Sequence, residues 1–362
     1  MKTKNSFKEF VFFSAGPVGD HVILIDFAHR FFESSGIPSC IIMKHPNPFL
    51  RDFALPYYDY IRYEEFPGFQ GKVALVYLMF SSIFVKRCFI NVLPIPAPTY
   101  YKVFAYFIRF CTRSRFVGFN LEASRNFPQG KGSSVFLGKE NYIDAQINKN
   151  IFHEEANRML AFLGFPEIQR APSLAYIEDK KSILNNSLIS RRYIVFHLAA
   201  SHVDRSFPED KWNRIIKAVQ EKLPNTPLVF TGSEKDRYFI ETCLGDISRT
   251  HIILACGSSS TQQLLTLHAN ALLNVTVHTG NAHFINMLHV PTLTLNIKGV
   301  YFFKFYYNEL GRELVATEGC TCDPFERECT MIPYKGKEYM ACLFNIKEEN
   351  IVENIISMIT PA

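Results

Sequence analysis

After Arg192 the chain alternates short apolar strands with amphipathic helices, and little else can fold from that pattern. "RYIVFHLAAS" (Arg192 to Ser201) reads as a strand, "PEDKWNRIIKAVQEKL" as a helix and "TPLVFTG" as the next strand. The helix "EKDRYFIETCLGDI", the strand "HIILAC", the helix "STQQLLTLHAN" and the strand "ALLNVTV" follow. A helix after "HTGNA" and the strand "PTLTLN" complete the series. A helix between two strands of one sheet returns the chain to the same edge, so the strands run parallel and the crossovers are right-handed. The expectation is a doubly wound α/β domain.

The first half opens the same way. "EFVFFSA" (Glu9 to Ala15) is a strand, "GPVGD" a loop, "HVILIDFAHRFFESSG" a helix ended by Gly36, and "PSCIIMK" a second strand. With 362 residues the chain exceeds one ordinary core. The fold class expected is therefore α/β with two Rossmann-like doubly wound domains. The first spans residues 1–175, and the polar, Pro-punctuated stretch that follows supplies a linker over 176–190. The second spans 191–344, and 345–362 forms a last amphipathic helix.

Hydrophobic content of 48% with 20% charged residues is that of a globular protein. The longest uncharged apolar stretch, Val73 to Val85, is too short to span a bilayer, and the start lacks an adequate signal-peptide core. Nine cysteines without such a signal suit a reducing compartment. The chain is read as cytoplasmic, either free or peripheral at the inner face of the cytoplasmic membrane.

Net charge is +5, and its placement is uneven. No Asp or Glu lies between Glu65 and Glu122, while Lys72, Lys86, Arg87, Lys102, Arg109, Arg113 and Arg115 do. Aromatic residues interleave with them in "PTYYKVFAYFIRFCTRSRFVGF". Two readings stand. The segment is an amphipathic core helix with a solvated basic face, or Lys86, Arg87, Lys102, Arg109, Arg113 and Arg115 form a surface for an acceptor or an anionic membrane. Nucleic acid is not expected, since the basic stripe is not sustained.

In an open parallel sheet ligands lie at the carboxyl ends of the strands. Three loops of the second half sit there. "HTGNAH" offers Thr279 and Gly280, small enough for backbone N–H groups to approach a phosphate at a helix start, or it is an ordinary turn capped by Thr279 or Asn281. "LAASHVDRSFPEDKW" offers Ser201 as a hydroxyl donor and Arg205 as a diphosphate clamp, or Arg205 pairs with Glu209 or Asp210. "TGSEKDR" places Glu234 after Thr231 and Gly232, where a carboxylate can accept from ribose hydroxyls or cap a helix. In the first half Asp20 is either a helix cap or a general base. Cys320, Cys322, Cys329 and Cys342 have a zinc-like count, but the first pair is not the usual C-x2-C, and no metal or cofactor is expected.

Taken together these loops resemble glycosyltransferase family 9, the lipopolysaccharide heptosyltransferases. Gly19 and Asp20 match the end of the family's Gly-x-Gly-Asp-like turn. "FHLAASHVDRSFPEDKW" is similar to its His-Pro-Gly-Ala-Ser segment with following Lys and Trp-Pro, with Arg205 in the Lys position and Phe207-Pro208 for Trp-Pro. "HTGNAHFINMLHVPTLTL" resembles the Asp-Thr-Gly-x-x-His turn and its apolar helix, except that His278 replaces the Asp. "CTCDPFEREC" with "MACLFNI" resembles the tails of many members.

The resemblance implies two domains facing across a cleft (GT-B), the acceptor on the first and a nucleotide-sugar donor, an ADP-sugar by preference, on the second. It implies a last helix that packs back on the first domain, and inverting, metal-independent chemistry. Asp20 would be the base. Ser201, Arg205, Thr279, Gly280 and His283 would hold the diphosphate, Thr231, Gly232 and Glu234 the nucleoside, and His278 would meet the donor sugar. The acceptor would be a lipopolysaccharide, other glycolipid or oligosaccharide. At His278 an imidazole, neutral or cationic, suits an acidic sugar or a phosphate, or marks lost activity. A sugar-nucleotide epimerase or hydrolase of the same fold, and a non-catalytic binding protein, remain the alternatives.

Overall fold

The computed structural model describes residues 7–14, 18–43, 48–65, 68–91, 99–120, 142–144, 152–171, 173–174, 192–200, 202–257, 259–298, 308–316, 318–320 and 329–360. The chain divides into two compact units, Met1–Ala175 and Tyr176–Ala362.

The first unit runs β1 (Glu9–Ser14), α1 (Val18–Ser35), β2 (Ser39–Met43), α2 (Pro48–Ala54), β3 (Ile61–Glu65) and α3 (Gly68–Ser81). It continues with β4 (Arg87–Asn91), α4 (Thr99–Cys111), β5 (Arg115–Asn120), β6 (Tyr142–Asp144) and α5 (Phe152–Leu163). The strands form one parallel sheet in the order β3-β2-β1-β4-β5-β6. The apolar run in β1 is continuous because that strand is covered on both faces. Phe10 and Phe12 meet Phe31 of α1 edge-on at 5.0 and 5.4 Å. Val11 points the other way, into a cluster with Phe89 of β4 and Leu78, Phe104 and Ile108 of α3 and α4. At the end of α1, Gly36 adopts φ +67° and its N–H returns to Phe32 O at 2.8 Å, a left-handed stop that glycine takes without strain. Asp26 binds the fully buried Arg30 at 2.7 Å, and Arg30 donates onward to the carbonyls of Ile168 and Arg170. This fastens the segment after α5 to α1.

The second unit begins with β7 (Ile194–His197), a short turn at Val203–Arg205, α6 (Glu209–Lys222), β8 (Leu228–Gly232), α7 (Arg237–Leu244), β9 (Ile252–Cys256) and α8 (Thr261–Ala269). Next come β10 (Leu273–Val277), α9 (Gly280–Met287), β11 (Thr292–Leu295) and β12 (Gly311–Leu314). The unit ends with the hairpin β13 (Met331–Tyr334) and β14 (Lys337–Met340), α10 (Ala341–Phe344) and α11 (Glu348–Ile359). Its parallel sheet has the order β12-β11-β10-β7-β8-β9, the same winding as the first unit. Ile194 and Phe196 face the large core with Trp212 of α6, while Tyr193 and Val195 face Leu267 and Ala271 on the opposite side. Both units are thus Rossmann-like α/β domains.

One detail differs from the expectation. The helix α1 starts at Val18, so Asp20 lies inside its first turn rather than ahead of it. The apolar face of the last helix, Ile351, Val352 and Ile355, is buried in the second unit's core against α6 and β10. Arg214 of α6 fixes it there through a two-pronged pair with Glu348 at 2.7 and 2.8 Å.

Candidate functional site

In each sheet the winding reverses direction between two central strands, and there adjacent loops part to opposite faces and leave a crevice. In the second unit the reversal lies between β7 and β10. His197 ends β7 and His278 follows β10, so the two histidines flank it.

A hydrogen-bond chain crosses this point. Asn281, in the first turn of α9, donates from Nδ2 to His197 Nε2 at 2.6 Å. That leaves the ring proton on Nδ1, which donates to Thr231 Oγ1 of β8 at 3.1 Å. Three loop elements are thereby held in register by one neutral imidazole. Burial pushes His197 down to about 4, which keeps it in that form. His197 stands at the first position of the segment likened to His-Pro-Gly-Ala-Ser but is assigned no role there, and nothing in the sequence singles out Asn296. Only the strand order shows that His197 ends a strand at the reversal.

His278 is buried and hydrogen-bonds Asn296, which follows β11 and itself donates to Glu313 at 3.2 Å. Burial, and then the nearby Arg205 guanidinium, push His278 down to about 4. Burial thus favours the neutral imidazole. His283, on α9, stands 6.0 Å from it ring to ring and is held well below its usual range by burial.

Arg205 ends the turn after β7 and is exposed. The acidic neighbours offered as its partners are occupied elsewhere: Glu209 by Lys337, and Asp210 by Arg214, Lys335 and Tyr334. Among the described residues Arg205 forms no ion pair. Thr279 precedes α9 but does not cap it with its side chain, and Thr279 Oγ1 is buried without a partner among the described residues. Ser201 lies outside the described residues. A cation, a helix start and a buried hydroxyl thus converge beside two neutral imidazoles. That combination suits an anionic oxygen cluster.

Thr231 is buried and Gly232 ends β8. Glu234 is exposed, and the helix cap considered for it is made by Ser233 and Asp236 instead. Its carboxylate pairs with Arg237 at 2.7 Å, which holds it below the usual carboxylate range. It rests on Gly257, where an added Cβ would come within 2.5 Å of Glu234 Oε2.

Asp20 stands in the helical turn that follows β1, and β1 and β4 are the strands between which the first sheet reverses. The basic surface is divided. Arg87 does not belong to it: the side chain is buried, pairs with Glu9 at 2.8 Å and donates to Ser81 and Ser82. Arg115 packs over Phe162 of α5, on the sheet face away from α3 and α4. Lys86 is half-buried over Phe7, Arg109 lies over Phe110, and Arg113 is exposed. The Lys102 side chain is outside the described residues. Cys322 is too, and among the described residues no three His, Cys, Asp or Glu side chains gather to hold a metal.

A family model, glycosyltransferase family 9 (heptosyltransferase), matches residues 105–299, more than half of the chain. The chain belongs to glycosyltransferase family 9. Solved structures with the same fold include a family 9 glycosyltransferase from Veillonella parvula. It is 13% identical, with 86% of this chain and 87% of that one covered at a TM-score of 0.64. The ADP-heptose lipopolysaccharide heptosyltransferase II of E. coli is 14% identical, with 98% of each chain covered at 0.63. E. coli heptosyltransferase WaaC with ADP-2-deoxy-2-fluoro heptose is 13% identical, with 84% of this chain and 92% of that one covered at 0.59. A search of curated proteins gives no match. As a family 9 glycosyltransferase, the protein has its second-unit loops where open α/β sheets hold ligands.

Proposed function

We propose that this glycosyltransferase is inverting and metal-independent, and moves a heptose or related sugar from an ADP-sugar to a lipopolysaccharide or similar surface-glycan acceptor at the cytoplasmic side of the membrane. The observation that carries the reading is Arg205 standing without a carboxylate partner, among the described residues, beside His278 and the start of α9 at the reversal of the second sheet. The family, and the ADP-2-deoxy-2-fluoro heptose that accompanies the structurally similar WaaC, support the choice of donor.

In this reading the diphosphate lies against Arg205, Ser201, the Thr279 and Gly280 amides, and His283. Glu234 meets the ribose beside Thr231 and Gly232, and His278 meets the transferred sugar. Asp20 takes the proton of an acceptor hydroxyl. The acceptor oxygen bonds the anomeric carbon from the face opposite the leaving group, and the carbon–oxygen bond to phosphate breaks with its electron pair going to the nucleoside diphosphate. Preorganised donors stabilise that charge as it develops. A neutral His278 gives the sugar a hydrogen bond without adding a charge.

The test is donor consumption with and without a lipid A-core acceptor, with the product's anomeric configuration read by NMR. Acceptor-dependent turnover with inversion, abolished in Asp20→Ala, supports the reading. Donor consumed without acceptor points to an epimerase or hydrolase, and retention of configuration overturns the single displacement.

A further inference from the structure

Most of the large apolar side chains exposed among the described residues sit on one surface of the first unit. On α3 and the turn after it Tyr77 is 70% exposed and Phe84 88%, with Phe80 between them. On α4 Phe110 is 71% exposed, and Tyr106 and Val103 lie one and two turns before it on the same side. The two helices cover the same sheet face and touch through Phe80 and Phe107 at 5.9 Å, so the two stripes are adjacent. Their inward residues, Leu78, Phe104 and Ile108, already fill the core. The outward ones therefore are not needed for folding, and a contiguous apolar patch of this kind marks a docking surface.

We infer that this face of α3 and α4 seats the protein on a bilayer containing anionic phospholipid. Charge selects the occupant. Arg109 and Arg113 stand at the edge of the patch, and no carboxylate occurs between Glu65 and Glu122. Two copies of the chain meeting through this face would bring their Arg109 and Arg113 side chains, like charges, together. A sugar would leave the Phe and Val side chains, which carry no hydrogen-bonding group, unmatched. At the boundary of headgroups and acyl chains the Phe and Val side chains enter the apolar layer, the Tyr hydroxyls stay wet and the arginines meet phosphate. No helix among the described residues is long and apolar enough to cross the membrane, so the contact is with its surface. The inference extends the proposed glycolipid acceptor by naming the surface that brings the enzyme to it. Its test uses neither donor nor acceptor, so the two readings fail separately.

The experiment is flotation of the full chain with vesicles of phosphatidylcholine, with and without phosphatidylglycerol. The wild type floats with the anionic vesicles and is released by salt. Phe84→Ser with Phe110→Ser lowers the bound fraction at least ~5-fold with thermal stability retained, and Arg109→Glu with Arg113→Glu removes the preference for anionic lipid. Should the serine variant unfold, Phe84→Trp reports instead, because the single native tryptophan, Trp212, is fully buried. The emission of the introduced indole shifts to the blue on anionic vesicles. Absence of flotation, unchanged binding by the serine variant, or an unshifted emission in the Phe84→Trp variant overturns the inference. So does a wild-type dimer that the serine variant dissociates.

Discussion

Asn281 and His197 are 2.6 Å apart, amide nitrogen to Nε2, although 84 positions of sequence separate them. The bond joins the start of α9 to the end of β7 across the reversal of the second sheet. Replacing His197 by Phe keeps a ring of similar size and deletes both hydrogen bonds. A net hydrogen bond is worth about 1 kcal/mol, so His197→Phe and Asn281→Ala should each weaken donor binding about 5- to 10-fold. The double variant should lose little more than either single one, because both break the same link. Calorimetric titration of the four proteins checks this, and full additivity would contradict it.

Stability should fall as pH drops from about 6.5 towards 4. Burial lowers His197 and His278 to about 4 and His268 to about 3, against an ordinary 6.5. Within that window the unfolded chain binds protons at these rings and the folded chain does not. Protons therefore favour unfolding, and the stability present near pH 7 is lost on acidification. Over that window each ring contributes about 3 kcal/mol at most, at 1.36 kcal/mol per pKa unit. Urea unfolding between pH 7 and pH 4 shows the loss, and its slope should be shallower in His197→Gln. A flat profile would mean that the rings become wet and charged without unfolding.

Gly257 carries φ +71°, and a Cβ there would stand 2.5 Å from Glu234 Oε2 and 2.8 Å from its Cβ. Gly257→Ala should cost about 1–3 kcal/mol through the left-handed backbone alone. It should also push Glu234 away from Arg237 and weaken nucleoside binding. The penalty should shrink only in part when Glu234→Ala is combined with it, because the contact with Oε2 disappears while the 2.8 Å contact with the retained Cβ and the backbone strain stay. Equal penalties in the two backgrounds would show that Glu234 does not rest on this glycine.

The parallel sheet of the second unit was legible because periods of two and 3.6 residues alternate without interruption from Arg192 to Asn296. The loops at the strand ends followed from that, and Arg205, Thr279 and Glu234 were found through them. His197 was not, because the significance of a strand end depends on which strands are neighbours, and periodicity does not carry that order. Asn296 was hidden for the same reason, since its contact with His278 crosses from β11 to β10. Arg87 misled because a basic residue in an acid-free stretch reads as surface. Its partner Glu9 is far away in sequence and reaches it only through the pairing of β1 with β4.

The most direct measurement is calorimetric titration of an ADP-sugar into the wild type, Arg205→Ala and Asp20→Ala. The wild type should bind, Arg205→Ala should lose about 10- to 100-fold, as expected for a charge-assisted pair, and Asp20→Ala should retain binding. Should no nucleotide or sugar nucleotide bind the wild type, or should Arg205→Ala bind as tightly, the second-unit site is not a donor site.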